Sequence, residues 1–252
     1  MNMNKPRWQI FVILIIGFVS IVSVCTLGEH YLIFNGNIYS KNITELRILE
    51  DKNLHNINKF PNLRKVIIGS SQNMHLHSLD FLEGCNLDVV VILNQDIEDW
   101  SALGRLTQLQ SLIIYTSNFS DLNNIISLEN LKTLIVNDSE LISLDGISHL
   151  TKLTELSVHS NKLANIEDVY RLKGLEKLIV SANEICSIDG IETLTGLTYL
   201  NIQENNILNY NMVCNIVNLK QLVVSENVLQ DSIKSELRSK NVFIYERTTT
   251  KN

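Results

Sequence analysis

Leucine, isoleucine and valine recur along this chain on a beat of 22 residues. Four copies follow one another without a break, opening at Leu131, Leu153, Leu175 and Leu197. In the second copy the apolar slots are Leu153, Leu156, Val158, Leu163, Ile166, Val169 and Leu172, with Asn161 at a constant polar slot. Leu156-Ser157-Val158 alternates with period two, which predicts a short strand with Leu156 and Val158 on one face and Ser157 on the other. From Leu163 to Leu172 the apolar residues fall at every third position. That spacing suits tight turns or 3₁₀ segments better than an α-helix. Each copy therefore reads as one coil, a strand out and a turning path back.

The beat extends in both directions. Leu109 to Asn130 and Leu87 to Gln108 are further 22-residue copies, Leu63 to Asn86 is a 24-residue variant, and Ile43 to Asn62 is a degenerate first rung. A last copy opens at Leu219 and breaks off after Leu229. A single coil cannot stand alone. Burying one such side chain contributes about 1.5–3 kcal/mol, against roughly 1–2 kcal/mol of backbone entropy for each residue ordered. Coils of this kind are stable when stacked. An inward Asn in each coil can satisfy backbone groups of the turns above and below it. That slot reads Ser71, Gln95, Ser117, Ser139, Asn161, Asn183, Asn205 and Asn227, so the N-terminal coils are expected to be less regular.

The pattern L-x-x-L-x-V-x-x-N-x-L-x-x-I-x-x-V-x-x-L resembles the leucine-rich repeat family. The likeness is to its 22-residue form, found in bacterial internalin-like proteins and in phosphatase-regulator proteins. The resemblance implies an α/β solenoid: a horseshoe with a parallel concave β-sheet, a convex side of 3₁₀ segments and turns, and protein recognition as its work. The chain departs from cell-wall-linked internalin-like proteins in carrying no Leu-Pro-x-Thr-Gly sorting sequence.

Residues 1–28 differ in character from the rest. Lys5 and Arg7 precede an uncharged stretch from Trp8 to Leu27, WQIFVILIIGFVSIVSVCTL. That length suits a hydrophobic helix spanning a membrane, since a signal-peptide core is usually ~7–15 residues. Positive charge before it and Glu29 after it predict repeats outside the cytoplasm. A cleaved signal, or lipidation at Cys25, are the other readings, and both also export the repeats. Residues 29–62 read as a cap and the degenerate rung, with a hairpin of Tyr31 to Phe34 and Asn37 to Tyr39 around Asn35-Gly36. Residues 63–230 are the repeats. Residues 231–246 read as a closing helix, capped by Asp231 or Ser232, and a strand from Val242 to Tyr245; residues 247–252 are a loose tail.

Composition narrows the chemistry. Net charge is −6, and −8 without Lys5 and Arg7, a poor match for a phosphate backbone, so nucleic acid is not an expected partner. Cys25, Cys85, Cys186 and Cys214 have no metal spacing and read as unpaired thiols or at most one bridge. His75 and His77 are two potential ligands lacking a third. Ser157 and His159 share a strand face near Asp138, but side chains two apart on one strand stand ~6–7 Å apart, too far for a nucleophile–base pair. No phosphate loop or nucleophile elbow occurs. The chain reads as a non-enzyme without cofactor or metal.

Register then defines a surface. The outward central slot runs Arg47, Ile67, Val91, Ile113, Ile135, Ser157, Ile179, Asn201 and Val223, with Val89, Leu93, Tyr115, His159, Lys177 and Tyr199 beside it. Ile67, Val91, Ile113, Tyr115, Ile135, Ile179, Tyr199 and Val223 are the expected contacts for a protein partner, or for a surface glycan. β-branched residues are also favoured in strands whatever they face. A cytosolic regulatory subunit and a structural surface protein are the alternative functions; the Trp8 to Leu27 stretch opposes the first.

Overall fold

The computed structural model describes residues 31–248 apart from 35, 52, 53, 70–73 and 75. The stretch from Trp8 to Leu27, read above as a membrane segment, lies outside them. Among the described residues no helix is long and apolar enough to cross a membrane.

Ten strands form one sheet, parallel throughout. In chain order these are β3 (Glu45–Ile48), β4 (Lys65–Ile68), β6 (Val89–Leu93), β8 (Ser111–Tyr115), β9 (Thr133–Asn137), β10 (Glu155–Ser157), β11 (Lys177–Ile179), β12 (Tyr199–Asn201), β13 (Gln221–Ser225) and β14 (Phe243–Arg247). Each inner strand pairs with the strand of the coil before and after it, so the 22-residue beat becomes a spatial register. Leu112, Leu134, Leu156, Leu178, Leu200 and Leu222 stand in one row. The chain returns through 3₁₀ segments, among them Ile147–His149, Glu167–Arg171 and Ile191–Thr193. The seven apolar slots of the second copy are between 0% and 2% exposed. They belong to one apolar core that runs from Leu32 to Val242.

Asparagine stitches the coils together. Asn183 Oδ1 accepts the Leu163 N–H at 3.0 Å, while its Nδ2 donates to the carbonyls of Val158, Val180 and Ser181 at 2.9–3.1 Å. Asn161 does the same for Leu141 and Val136, and Asn205 for Ile185 and Val180. Upstream the task passes to other residues. Buried Gln95 accepts the Met74 N–H at 2.7 Å, a longer side chain reaching across the 24-residue coil. Where the slot holds Ser117, the next residue substitutes: Asn118 accepts from Ile97 N–H at 3.1 Å and returns a bond to the Ile97 carbonyl. At the far end the ladder stops. Asn227 is exposed and takes φ +62°, because the last coil turns one residue later than its predecessors.

Six residues between strand and Asn slot adopt left-handed backbone: Asn94, Thr116, Asp138, Ser160, Ala182 and Glu204, all at φ +50° to +54°. For a side chain with a Cβ this costs roughly 1–2 kcal/mol. The conformation aims each N–H at the next coil, as in Asp138 to the His159 carbonyl and Ala182 to the Gln203 carbonyl, both at 3.0 Å. Gly69, at φ +143°, ends β4 against the Leu93 carbonyl, where a Cβ would collide. Two residues longer than the others, this coil then adds β5 (Leu76–Ser78), which pairs with β7 (Ile97–Asp99) in a small parallel sheet.

Both ends of the stack are covered. The hairpin of β1 (Tyr31–Phe34) and β2 (Asn37–Ser40) buries Leu32 and Phe34, and Phe34, Tyr39 and Phe60 pack edge to face. Helix α1 (Asp231–Ser239) buries Ile233 and Leu237 over the last coil. Its N-cap is Gln230, in extended conformation, and not Asp231 or Ser232; no side chain caps it. Asp231 already lies inside the first turn, where its charge suits the positive end of the helix.

Replacing Asn183 by Ala strands the Leu163 N–H in the core, a cost of about 1–3 kcal/mol for that donor alone. Chemical denaturation should register the loss. Asn227→Ala, outside the ladder, gives up only the tolerance of Asn for left-handed backbone and should cost under about 1 kcal/mol.

Candidate functional site

The sheet has one face packed on the core and one facing solvent. On the solvent face Arg47, Ile67, Val91, Ile113, Ile135, Ser157, Ile179, Asn201 and Val223 stand side by side in a single row, which β14 extends to Tyr245. Ile67, Val91, Ile113, Ile135 and Ile179 are half-buried, because flanking side chains crowd a central row from both sides. Their outer edges remain open to contact.

Two members of the row are withdrawn. Val223, expected above as a contact, is 2% exposed and offers a partner nothing to touch. It is small, and its register neighbours Asn201 and Tyr245 are larger. Ser157 is 3% exposed and donates its hydroxyl to Asn137 Oδ1 at 2.9 Å. His159 Nδ1 sits 2.9 Å from Ser181 Oγ, on the coil after. Hydroxyl and imidazole thus serve different coils, and they do not form a nucleophile–base pair.

What remains is an apolar patch with charged borders. Ile67, Val91, Ile113 and Ile135 span about 15 Å at the usual strand separation, widened by Val89, Leu93 and Tyr115. Before it, Glu45 lies 3.0 Å from Lys65 and 3.3 Å from Arg47. The hydrogen bond from Lys65, then Arg47, holds the Glu45 carboxyl below the usual range. After it, Lys177 pairs with Glu155 at 2.7 Å and lies 5.7 Å from the centre of the Tyr199 ring. Tyr199 therefore belongs to the charged border, while Tyr115 belongs to the patch. Exposed pairs like these define edges more than they stabilise.

At the C-terminal end the face carries residues that the repeat pattern did not reveal. Phe243 is 67% exposed and Tyr245 45%. The alternation Phe243-Ile244-Tyr245 was the available signal, but it lies beyond the last copy. Elsewhere the chemistry is sparse. A polar hollow of about 350 Å³ beside the left-handed row is lined by Asp96, Asp138, Glu140 and Lys162, among others. His77 is exposed and bonded to Glu98 at 2.6 Å; His75 lies outside the described residues. Among the described residues no three His, Cys, Asp or Glu side chains gather as metal ligands. Cys85, Cys186 and Cys214 are free thiols, and burial pushes Cys85 up to about 11.

This architecture has known counterparts. An internalin of Listeria monocytogenes superposes with a TM-score of 0.72 at 21% identity, over 82% of this chain. This chain spans 62% of that internalin's length. Internalin C2 of the same species gives 0.66 at 17% identity, over 75% of this chain and 86% of its own. The plant peptide hormone receptor RGFR1, solved in complex with RGF2, gives 0.57 at 19% identity, over 76% of this chain and 33% of its own. No family model and no curated protein matches the sequence. The fold is that of a leucine-rich repeat solenoid, similar to those of the internalins.

Burial separates the two kinds of residue in the outward row. Val223→Ala should cost about 1–2 kcal/mol, as an ordinary core truncation does. Ile113→Thr, half-exposed and still β-branched, should cost under about 1 kcal/mol. Thermal unfolding of the two variants should rank them in that order.

Proposed function

We propose that this chain is an exported, membrane-held recognition protein that grips a protein partner on the apolar patch of its sheet. The observation that carries the reading is the unbroken row Ile67, Val91, Ile113 and Ile135, apolar, half-open and fenced by ion pairs on both sides. Its dimensions give several hundred Å², near the ~800 Å² that each side of an ordinary interface contributes and at the upper end of patches found on monomers. Tyr115, rigid and amphipathic, is its anchor; Ile179 and Tyr199 are rim contacts. Placement beyond the membrane rests on the uncharged stretch Trp8 to Leu27 behind Lys5 and Arg7.

Replacing both Ile113 and Ile135 by Asp should leave the circular dichroism unchanged. The partner cross-linked to the parent chain in intact cells should then be held at least about tenfold more weakly, ~1.4 kcal/mol. Ile142→Asp, on an exposed residue outside the sheet, should bind like the parent. Equal capture by all three would remove the patch from consideration.

Protease added to intact cells should digest the repeats. Repeats protected until the cells are lysed would favour a cytosolic subunit instead, of the kind the phosphatase-regulator resemblance suggests.

A further inference from the structure

Among the described residues no strand pairs with the outer side of β14, the last strand of the sheet. Phe243 donates its N–H to the Lys220 carbonyl at 2.8 Å, and the Arg247 carbonyl accepts from Glu226 N–H at 3.0 Å. Backbone groups alternate sides along a strand, so residues 243, 245 and 247 turn theirs toward β13. Ile244 and Glu246 turn theirs outward, away from the sheet. An edge of this kind is a template for another strand, which proteins commonly blunt with Lys, Pro or a bulge. This one carries two exposed aromatic side chains, Phe243 and Tyr245.

We propose that the outer edge of β14 pairs with the same edge of a second copy of this chain, antiparallel, about a twofold axis through Tyr245. The five residues FIYER are their own complement in that arrangement. Antiparallel registers that keep the solvent face on one side differ by two residues. Centring on Glu246 would set two carboxylates opposite each other. Centring on Ile244 would leave Glu246 and Arg247 without opposite numbers. Centring on Tyr245 uses the whole strand.

In that register Ile244 of one copy faces Glu246 of the other, and these are the residues whose N–H and C=O point outward. The twofold then yields four backbone hydrogen bonds. Tyr245 falls opposite itself at a non-hydrogen-bonded position, where Cα atoms approach to ~4.5 Å. Arg247 faces the Phe243 ring, a cation over an aromatic surface. Glu246 brings no lone charge, because Lys234 already holds it at 2.9 Å on the core side. Both apolar patches end on the same side of one doubled sheet, so the dimer would present two partner sites together.

One strand pair buries little area, below the ~1,200 Å² of stable complexes, so the association is weak and is best trapped covalently. The test uses the full chain in mild detergent, with Cys186→Ser removing the exposed native thiol. Tyr245→Cys should give a disulfide-linked dimer on mild oxidation, well above that parent. Arg247→Cys alone should not, whereas an equal mixture of Phe243→Cys and Arg247→Cys chains should. In sedimentation, Tyr245→Lys should weaken the dimer at least about tenfold by setting two ammonium groups face to face. Failure of Tyr245→Cys to link, equal linking by Arg247→Cys alone, oligomers longer than a dimer, or an undiminished dimer in Tyr245→Lys would each overturn the proposal.

Discussion

No coil of this protein can satisfy itself. Leu163 buries its side chain in its own turn, yet its N–H is answered only by Asn183, one coil further on. Asn183 in turn holds carbonyls from its own coil and from the coil before. Left-handed residues such as Asp138 and Ala182 hold a strained backbone for the same end, aiming each N–H at the following coil. Every turn thus borrows polar partners and apolar cover from its neighbours. Stability is distributed along the stack, and the terminal coils need something else to lean on. The β1–β2 hairpin with its Phe34, Tyr39 and Phe60 cluster does this at one end, and α1 at the other.

This dependence has a geometric by-product. Because the core and the polar ladder occupy the inner side of the strands, the opposite side is free of structural duty for most of its length. Side chains there can vary without unfolding the stack. The patch from Ile67 to Ile135 and the charged clusters around Glu45 and Lys177 occupy that free side. The exceptions are Ser157 and Val223, drawn into packing by Asn137 and by larger neighbours. At β14 a second freedom appears, an edge with outward backbone groups beside two exposed aromatic rings.

Much of this was legible from the periodicity of the chain. A 22-residue repeat with a period-two segment assigns strand, turn, core slot and outward slot to every copy, because identical copies must stack in identical register. The outward row from Arg47 to Val223 was readable residue by residue on that ground. Local departures were not. Asn118 replaces the missing Asn at slot 117, and Gln95 stretches to do so in its coil, through side-chain reach that no one-dimensional alignment measures. Asn227 sits in the expected column and yet leaves the ladder, since one extra residue of turn changes where its side chain points.

The amino-acid sequence alone determined the kind of object this is: a stack of coils with leucines inside, a chain of strands on one flank and distinct closing elements at the ends. Repetition makes that information local, contained within each copy and its immediate neighbour. The tertiary structure alone decided which outward residues meet solvent, which polar residue serves each coil, and that β14 lines up with Tyr199 and Val223 as part of the same face. Those outcomes depend on the sizes and reaches of side chains from three or more coils at once, and no single repeat contains them.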